Sequence, residues 1–114
     1  MSKLARLIAQ EEGFYVPDSV PDRDCNPGDL RHSPHSFHTP SDPDGIGKID
    51  TPQDGWADLE RQLQLFAERG LSLDEAIYTF APPSENNSEA YLKYICDGLG
   101  LEPTALVSEA LEQS

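Results

Sequence analysis

The sequence predicts a mainly α-helical (α+β) single domain over residues 1–114, with a small irregular β lobe after the first helix. Apolar side chains recur at helical spacing near the N-terminus and again after Thr51, where the pattern is strongest. Between these helices, residues 14–50 follow neither helical nor strand periodicity and contain six of the ten prolines. A chain of 114 residues supports one modest hydrophobic core, so a single domain is expected.

The first predicted helix covers residues 3–12 and ends in two carboxylates. Its apolar residues form one stripe, made of Leu4, Ala5, Leu7, Ile8 and Ala9. Ser2 suits the N-cap position, and Gly13 suits the position that follows a helix C-terminus. Both Glu11 and Glu12 flank the stripe, so periodicity alone does not show which of the two carboxylates is buried.

The predicted lobe lies within residues 14–50. A connection of this length is uncommon in a compact domain and is usually functional or disordered. Order is expected here because apolar residues recur through the segment, namely Phe14, Tyr15, Val16, Leu30, Phe37, Ile46 and Ile49. The dipeptide Asp44-Gly45 indicates a turn that enters a short strand beginning at Ile46.

The helix after the lobe has the clearest signals in the chain. Thr51 suits its N-cap and Pro52 its first helical position, while Gly70 is expected to end it. Its apolar positions repeat at helical spacing, at Trp56, Leu59, Leu63 and Phe66.

Three shorter helices are predicted in the last third of the chain. Ser72 and Glu75 form the pattern of a capping box, which opens the first of them. Ser88 is expected to cap the second, which Gly98 or Gly100 ends, and Pro103 is expected to start the third. The prediction is therefore about five helices with one inserted lobe.

The net charge of −13 and the pI near 4.3 limit the possible partners. Repulsion argues against nucleic acid and anionic membrane, and more mildly against a free-standing enzyme that acts on anionic bacterial walls. No apolar run approaches the roughly 18 residues that span a bilayer. The N-terminus lacks the apolar stretch of a secretory signal, so synthesis in the cytoplasm without a signal peptide is expected.

The thiol and imidazole groups suggest no metal or cofactor. Cys25 and Cys96 form neither a CxxC motif nor a zinc-site spacing, and both are expected to be reduced. His32, His35 and His38 lie three residues apart in a loop rich in serine and proline. A metal site would require the fold to bring them together, so a solvated loop is the prediction.

Four motifs follow one another along nearly the whole chain. They are Glu12-Gly13-Phe14, the turn from Arg23 to Leu30, the helix start from Thr51 to Trp56, and the segment from Ala81 to Tyr91. In this order they resemble small lysozyme-like proteins of phages and prophages, and more widely the lysozyme and lytic transglycosylase superfamily.

The resemblance implies a lysozyme-like fold that cleaves peptidoglycan glycan strands, as a muramidase or a lytic transglycosylase. Glu12 matches the family's glutamate, which favours it over Glu11 as the general acid. The resemblance further implies cleft residues, namely Asn26, Asp29, Asn86 and Tyr91. Peptidoglycan or a related amino-sugar glycan is the implied partner, with virion proteins as further candidates. The implied location is the virion or the periplasm.

A protonated Glu12 would require an apolar wall, for which Phe14, Tyr15 and Trp56 are the candidates. A hydrolase would also need a second carboxylate within about 5–10 Å. The available residues are Asp24, Asp29 and Glu85, and none stands out. A lytic transglycosylase needs only one acid–base group, which fits a single glutamate slightly better.

The turn departs from the family pattern. Relatives usually read Arg-Asn-Asn-Asn-Pro-Gly-Asn-Leu, whereas this chain has Asp24, Cys25 and Asp29 in place of three amides. The extra carboxylates could raise the pKa of Glu12, supply a second acid, or mark a site that no longer binds sugar. With the acidic charge, they favour an alternative: a non-catalytic phage structural or wall-binding protein that keeps the fold. A buried Glu12 at the base of an open groove would favour the enzyme instead.

Overall fold

A computed structural model describes all residues from 1 to 114 and confirms a mainly helical protein. Six helices follow one another, and their bounds are α1 Lys3–Glu12, α2 Val20–Arg23, α3 Pro52–Glu68, α4 Leu73–Phe80, α5 Ser88–Leu99 and α6 Val107–Ala110. None of them combines the length and the hydrophobicity that crossing a bilayer requires.

One hydrophobic core joins the helices outside the lobe. Helix α5 packs against α1 and α4, while α3 packs against α1 and α6. The largest side chains of this core are fully buried, and they include Leu4, Ile8, Leu59, Leu63, Leu73, Ile77, Ile95 and Val107. Burying each such side chain contributes about 2 kcal/mol, so the core fixes the position of α1.

Both ends of α1 are capped as predicted. The Ser2 hydroxyl accepts a hydrogen bond from the Ala5 amide at 3.1 Å. At the other end Gly13 adopts a φ of 86°, a left-handed conformation that costs glycine little. The chain therefore turns away directly after Glu12 and leaves this carboxylate at the end of a rigid helix.

Helix α3 is also capped as predicted, and it packs closely against the lobe. Thr51 accepts a hydrogen bond from the Asp54 amide at 3.2 Å. One turn into the helix, a Cβ atom at Gly55 would lie only 1.9 Å from the Cys25 carbonyl oxygen. Only glycine allows this approach, which holds the turn after α2 against α3.

The capping box of α4 is present as predicted, whereas the starts of α5 and α6 differ from the prediction. Asn87, not Ser88, caps α5, and the Ser88 hydroxyl donates to the Ala81 carbonyl oxygen instead. Helix α6 begins at Val107 rather than near Pro103. The Pro103 and Ala105 carbonyl oxygens accept hydrogen bonds from the first amides of α4, at 2.9 and 2.8 Å, so this segment remains a turn.

The predicted short strand in the lobe does not form. The lobe contains only one antiparallel bridge, between Phe37 and Lys48. Three successive amides bond to three different segments: Gly47 to the Leu30 carbonyl, Lys48 to Phe37 and Ile49 to Asp24. Because each residue has another partner, no ladder can extend. The lobe also contains the short helix α2, which the sequence prediction missed.

Candidate functional site

An open groove of about 620 Å³ lies where the C-terminal end of α1 meets the lobe and the end of α4. The end of α1 contributes Glu12 to the groove, and the turn after α2 contributes Asp29 and Arg31. The segment before α5 contributes Glu85 and Asn86. The groove therefore brings together residues from three of the four motifs found in the sequence.

Glu12 is half-buried, whereas its neighbour Glu11 is exposed. Burial raises the pKa of Glu12 to about 7; a hydrogen bond from Tyr91 opposes the rise, and the charges of Asp29 and Glu11 add to it. Desolvation disfavours the charged carboxylate, so the neutral acid persists near neutral pH. The structure thus separates the two glutamates that periodicity could not distinguish.

Tyr91 holds the Glu12 carboxyl from behind. It lies on α5 with only 3% of its surface exposed, and its hydroxyl donates a hydrogen bond of 2.8 Å to Oε2 of Glu12. Burial and the nearby Glu12 charge raise the pKa of Tyr91, which keeps the hydroxyl as a proton donor. The sequence predicted Tyr91 as a cleft residue. In the structure it does not line the groove itself, but its hydrogen bond fixes the orientation of Glu12.

The apolar wall of the groove differs from the predicted one. Phe14, Tyr15 and Trp56 pack against each other, with the Phe14 ring 5.4 Å from Trp56 and 5.5 Å from Tyr15, but none lines the groove. The left-handed turn at Gly13 directs this chain segment towards α3 instead. The apolar lining consists of Leu30, Ile46, Phe80, Ala81 and Pro82. Ala81 and Pro82 begin a motif recognised in the sequence and Phe80 directly precedes it, so the position of this motif was the available signal.

Asn26 lies beneath the groove and is completely buried. Its amide nitrogen donates to the Leu30 and Gly47 carbonyl oxygens at 2.8 and 2.9 Å, and its amide oxygen accepts from the Leu30 amide at 3.1 Å. These bonds join the turn after α2 to the segment that carries Ile46. Asn26, predicted from sequence as a cleft residue, is therefore not exposed in the groove and supports its wall.

Asp29 lines the groove in a left-handed conformation, with a φ of 51°. Its Oδ1 atom is buried and has no hydrogen-bond partner. Burial and the charge of Asp24 raise the pKa of Asp29, while the Arg31 charge opposes the rise. Its own charge in turn raises the pKa of Glu12, so the two carboxyls interact electrostatically.

The other two candidates for a second carboxylate are paired with cations. Glu85 lines the groove, but its Oε1 lies 3.4 Å from the Arg31 guanidinium. Asp24 lies outside the groove, 3.3 Å from the Lys48 ammonium. Of the three carboxylates considered, only Asp29 both lines the groove and acts on Glu12.

A cluster around the buried Asp58, outside the groove, was not predicted. Asp58 of α3 is 2% exposed, and its carboxylate accepts hydrogen bonds from Ser33 Oγ at 2.6 Å and from the His35 amide at 2.9 Å. The His35 imidazole lies 2.6 Å from the same carboxylate through Nδ1. The cluster attaches the lobe to α3. The sequence could not predict this cluster, because one acidic residue in an amphipathic helix does not indicate that its side chain is buried.

The remaining histidines and the cysteines are not arranged to hold a metal ion. The His32 and His38 rings stack at 4.7 Å, and no group of three or more potential ligands is placed to hold a metal ion. Cys25 and Cys96 are both free, and Cys96 is buried.

Comparisons with protein-family models, curated proteins and solved structures found no match to this chain. The site must be interpreted from its own geometry. That geometry is an open groove, large enough for a ligand of drug-like size, with one carboxyl whose pKa is raised to about 7.

Proposed function

We propose that this chain is a lysozyme-like protein that cleaves the glycan strands of peptidoglycan, with Glu12 as its single acid–base group. The observation that supports this most directly is the Glu12 carboxyl itself. It is half-buried at the wall of an open groove, anchored by Tyr91, and has a pKa of about 7. A general acid works best when its pKa lies near the working pH.

The anchored carboxyl suits proton delivery. Because Tyr91 donates to Oε2 of Glu12, Oε1 is the atom left to carry the acidic proton. In the proposed step this proton passes to the glycosidic oxygen while the bond from that oxygen to the anomeric carbon breaks. The resulting carboxylate then takes a proton from the incoming nucleophile, which restores the acid.

The nucleophile is either water or the 6-hydroxyl of the muramic acid residue. Water as the nucleophile usually requires a second carboxylate, for which Asp29 is the candidate that faces the groove. The intramolecular hydroxyl requires only Glu12. The pairing of Glu85 with Arg31 and of Asp24 with Lys48 favours the single-carboxylate reaction, which releases 1,6-anhydro-muramic acid ends.

A second candidate function is a non-catalytic wall-binding or virion protein with the same fold. It is favoured by the groove's own acidity, since Glu12, Asp29 and Glu85 all line it and the Asp29 Oδ1 is buried without a partner. The net charge of −13 opposes approach to anionic strands as well. This alternative predicts binding to glycan without release of fragments. Either candidate would act in the periplasm or on a virion, next to virion proteins.

The test is fragment release from purified peptidoglycan, measured by turbidity and mass spectrometry across pH. The native chain is compared with Glu12→Gln, which keeps the side-chain shape and removes the proton donor. Glu11→Gln is the matched control, because Glu11 is the exposed neighbour on the same helix. We expect fragments from the native chain and from Glu11→Gln but not from Glu12→Gln. Equal release by all three, or no release by any folded form, would contradict the enzymatic proposal.

A further inference from the structure

A second cavity adjoins the groove and is not explained by the acid–base site. Its volume is about 540 Å³, and it is lined by α2, by the paired residues Phe37 and Lys48, and by Ile46. Ile46 lines the groove as well, so the two cavities meet at this side chain. A linear ligand that occupies both cavities would therefore lie across Ile46.

Arg23 gives the second cavity an unpaired positive charge. The Lys48 ammonium is neutralised by Asp24 at 3.3 Å, and the His38 Nε2 atom is engaged by the Gly45 carbonyl at 3.0 Å. Asp42, the cavity's other acid, also takes part in no ion pair, and its carboxylate lies beside Gly45. Arg23 is exposed at the end of α2 and takes part in none of the chain's ion pairs. Of the two cations that line the cavity, Arg23 is therefore the one without an ion pair.

Phe37 gives the same cavity an exposed aromatic ring. Nearly half of the residue, 48%, is accessible to solvent, although its backbone is fixed by two hydrogen bonds to Lys48 at 2.9 and 3.0 Å. A large apolar side chain held rigidly at a cavity wall loses little conformational entropy when a ligand covers it. The flat ring suits the apolar face of a sugar.

We infer that the second cavity binds a carboxylate-bearing unit of the same glycan strand, with Arg23 on the carboxylate and Phe37 against the sugar ring. The inference rests on the proposed function, which supplies the strand. Guanidinium and carboxylate match in geometry and form charge-assisted hydrogen bonds, so Arg23 selects a muramic acid unit over a neutral N-acetylglucosamine unit. The carboxylate is either the lactyl group of a peptide-free strand or a carboxylate of an attached stem peptide.

The test measures binding to the full chain carrying Glu12→Gln, which prevents cleavage. Two tetrasaccharides are compared by calorimetry: one alternates N-acetylglucosamine with peptide-free N-acetylmuramic acid, and the other contains only N-acetylglucosamine. We expect the acidic tetrasaccharide to bind about tenfold more tightly. Adding Arg23→Gln should remove this preference and leave affinity for the neutral tetrasaccharide unchanged. Arg61→Gln is the matched control, since it removes an equal charge from the exposed face of α3.

The outcomes separate the inference from the proposed function. If both sugars bind equally and Arg23→Gln has no effect, the inference is wrong while the glycan-binding function stands. An equal loss with Arg61→Gln would also overturn it, because the preference would then reflect overall charge. If neither sugar binds, the proposed function fails too. A strand with stem peptides, tested beside the peptide-free strand, identifies which carboxylate Arg23 binds.

Discussion

The hydroxyl of Tyr91 donates a hydrogen bond of 2.8 Å to Oε2 of Glu12, a residue 79 positions away in the sequence. Burial and this hydrogen bond act on the Glu12 pKa in opposite directions, and the result is a pKa of about 7. Since the two residues lie on α5 and α1, the packing of these helices sets the proton affinity of the site. The protonation of Glu12 therefore depends on how α1 and α5 pack in the hydrophobic core.

Replacing Tyr91 with phenylalanine should raise the pKa of Glu12 further. The hydroxyl stabilises the charged carboxylate, so its removal favours the neutral acid, while the phenyl ring preserves the burial. NMR titration of the Glu12 side-chain carboxyl carbon would measure the change. Tyr94→Phe on the same helix is the control, because the Tyr94 hydroxyl makes no hydrogen bond to Glu12. An unchanged or lower Glu12 pKa in Tyr91→Phe would contradict the prediction.

The raised pKa of Glu12 predicts a specific dependence of stability on pH. Between the ordinary pKa of 4.5 and about 7, the folded chain holds a proton that the unfolded chain releases. The contribution of Glu12 to the unfolding free energy is therefore full below pH 4.5 and is lost as pH rises through 7, by about 3 kcal/mol in total. Urea unfolding of the native chain and Glu12→Gln should show this loss only in the native chain. A constant difference between them would count against it.

Much of the helical framework could be predicted because its signals are local. Ser2, Thr51 and the Ser72–Glu75 pair each act within one helical turn, and all three cap helices as expected. The start of α6 could not be predicted from Pro103, because the carbonyls of this segment bond to α4, a contact between residues about 30 positions apart. The strand predicted from Ile46 does not form for the same reason, because the amides that follow it bond to residues that are distant in the sequence.

The candidate site was predictable in its members but not in their roles. Glu12, Asp29 and Asn86 line the groove, whereas Asn26 and Tyr91 lie behind it. Sequence motifs identify residues that belong to one region, yet they do not show which side chains face the ligand. That depends on burial, which the whole fold determines.

Asn26 should matter for stability rather than for direct contact with the ligand. Asn26→Ala removes three hydrogen bonds and leaves the Leu30 and Gly47 carbonyls buried, which should cost about 3 kcal/mol of unfolding free energy. Asn86→Ala is the matched change in the exposed part of the groove, where the amide makes only a weak contact of 3.5 Å. It should leave stability within about 0.5 kcal/mol and weaken glycan affinity. Chemical denaturation and calorimetric binding would show whether the two effects separate in this way.

Asp58 should stabilise the attachment of the lobe to α3 in a pH-dependent manner. Burial alone would raise the pKa of Asp58, but hydrogen bonds from Ser33 and His35 outweigh it and lower the pKa. This contribution is present above the ordinary pKa of 3.8 and is lost as pH falls through the lowered value. The hydrogen bond to Asp58 raises the pKa of His35, so the imidazolium contribution is present below 6.5 and is lost as pH rises.

Asp58→Asn should therefore reduce the unfolding free energy most between about pH 4 and 6.5, by about 2 kcal/mol. Thermal and urea unfolding across this range would measure the loss. Asp54→Asn is the control. Asp54 also lies near His35, 3.8 Å from its Nε2 atom, but 44% of its side chain is exposed to solvent, so its replacement should change stability much less. A loss for Asp58→Asn that does not vary with pH would contradict the role of charge and would indicate hydrogen bonding alone.

Asp29→Asn should stabilise the fold and lower the pKa of Glu12. The buried Oδ1 has no partner, so removing the charge relieves a desolvation penalty of about 1 kcal/mol. It also removes a negative charge that raises the Glu12 pKa. Asp24→Asn is the comparison: it breaks the ion pair with Lys48 and should not stabilise the chain.

Under the single-carboxylate proposal, Asp29→Asn should still release fragments from peptidoglycan. Loss of release by a stable Asp29→Asn variant would instead make Asp29 the second carboxylate of a hydrolase.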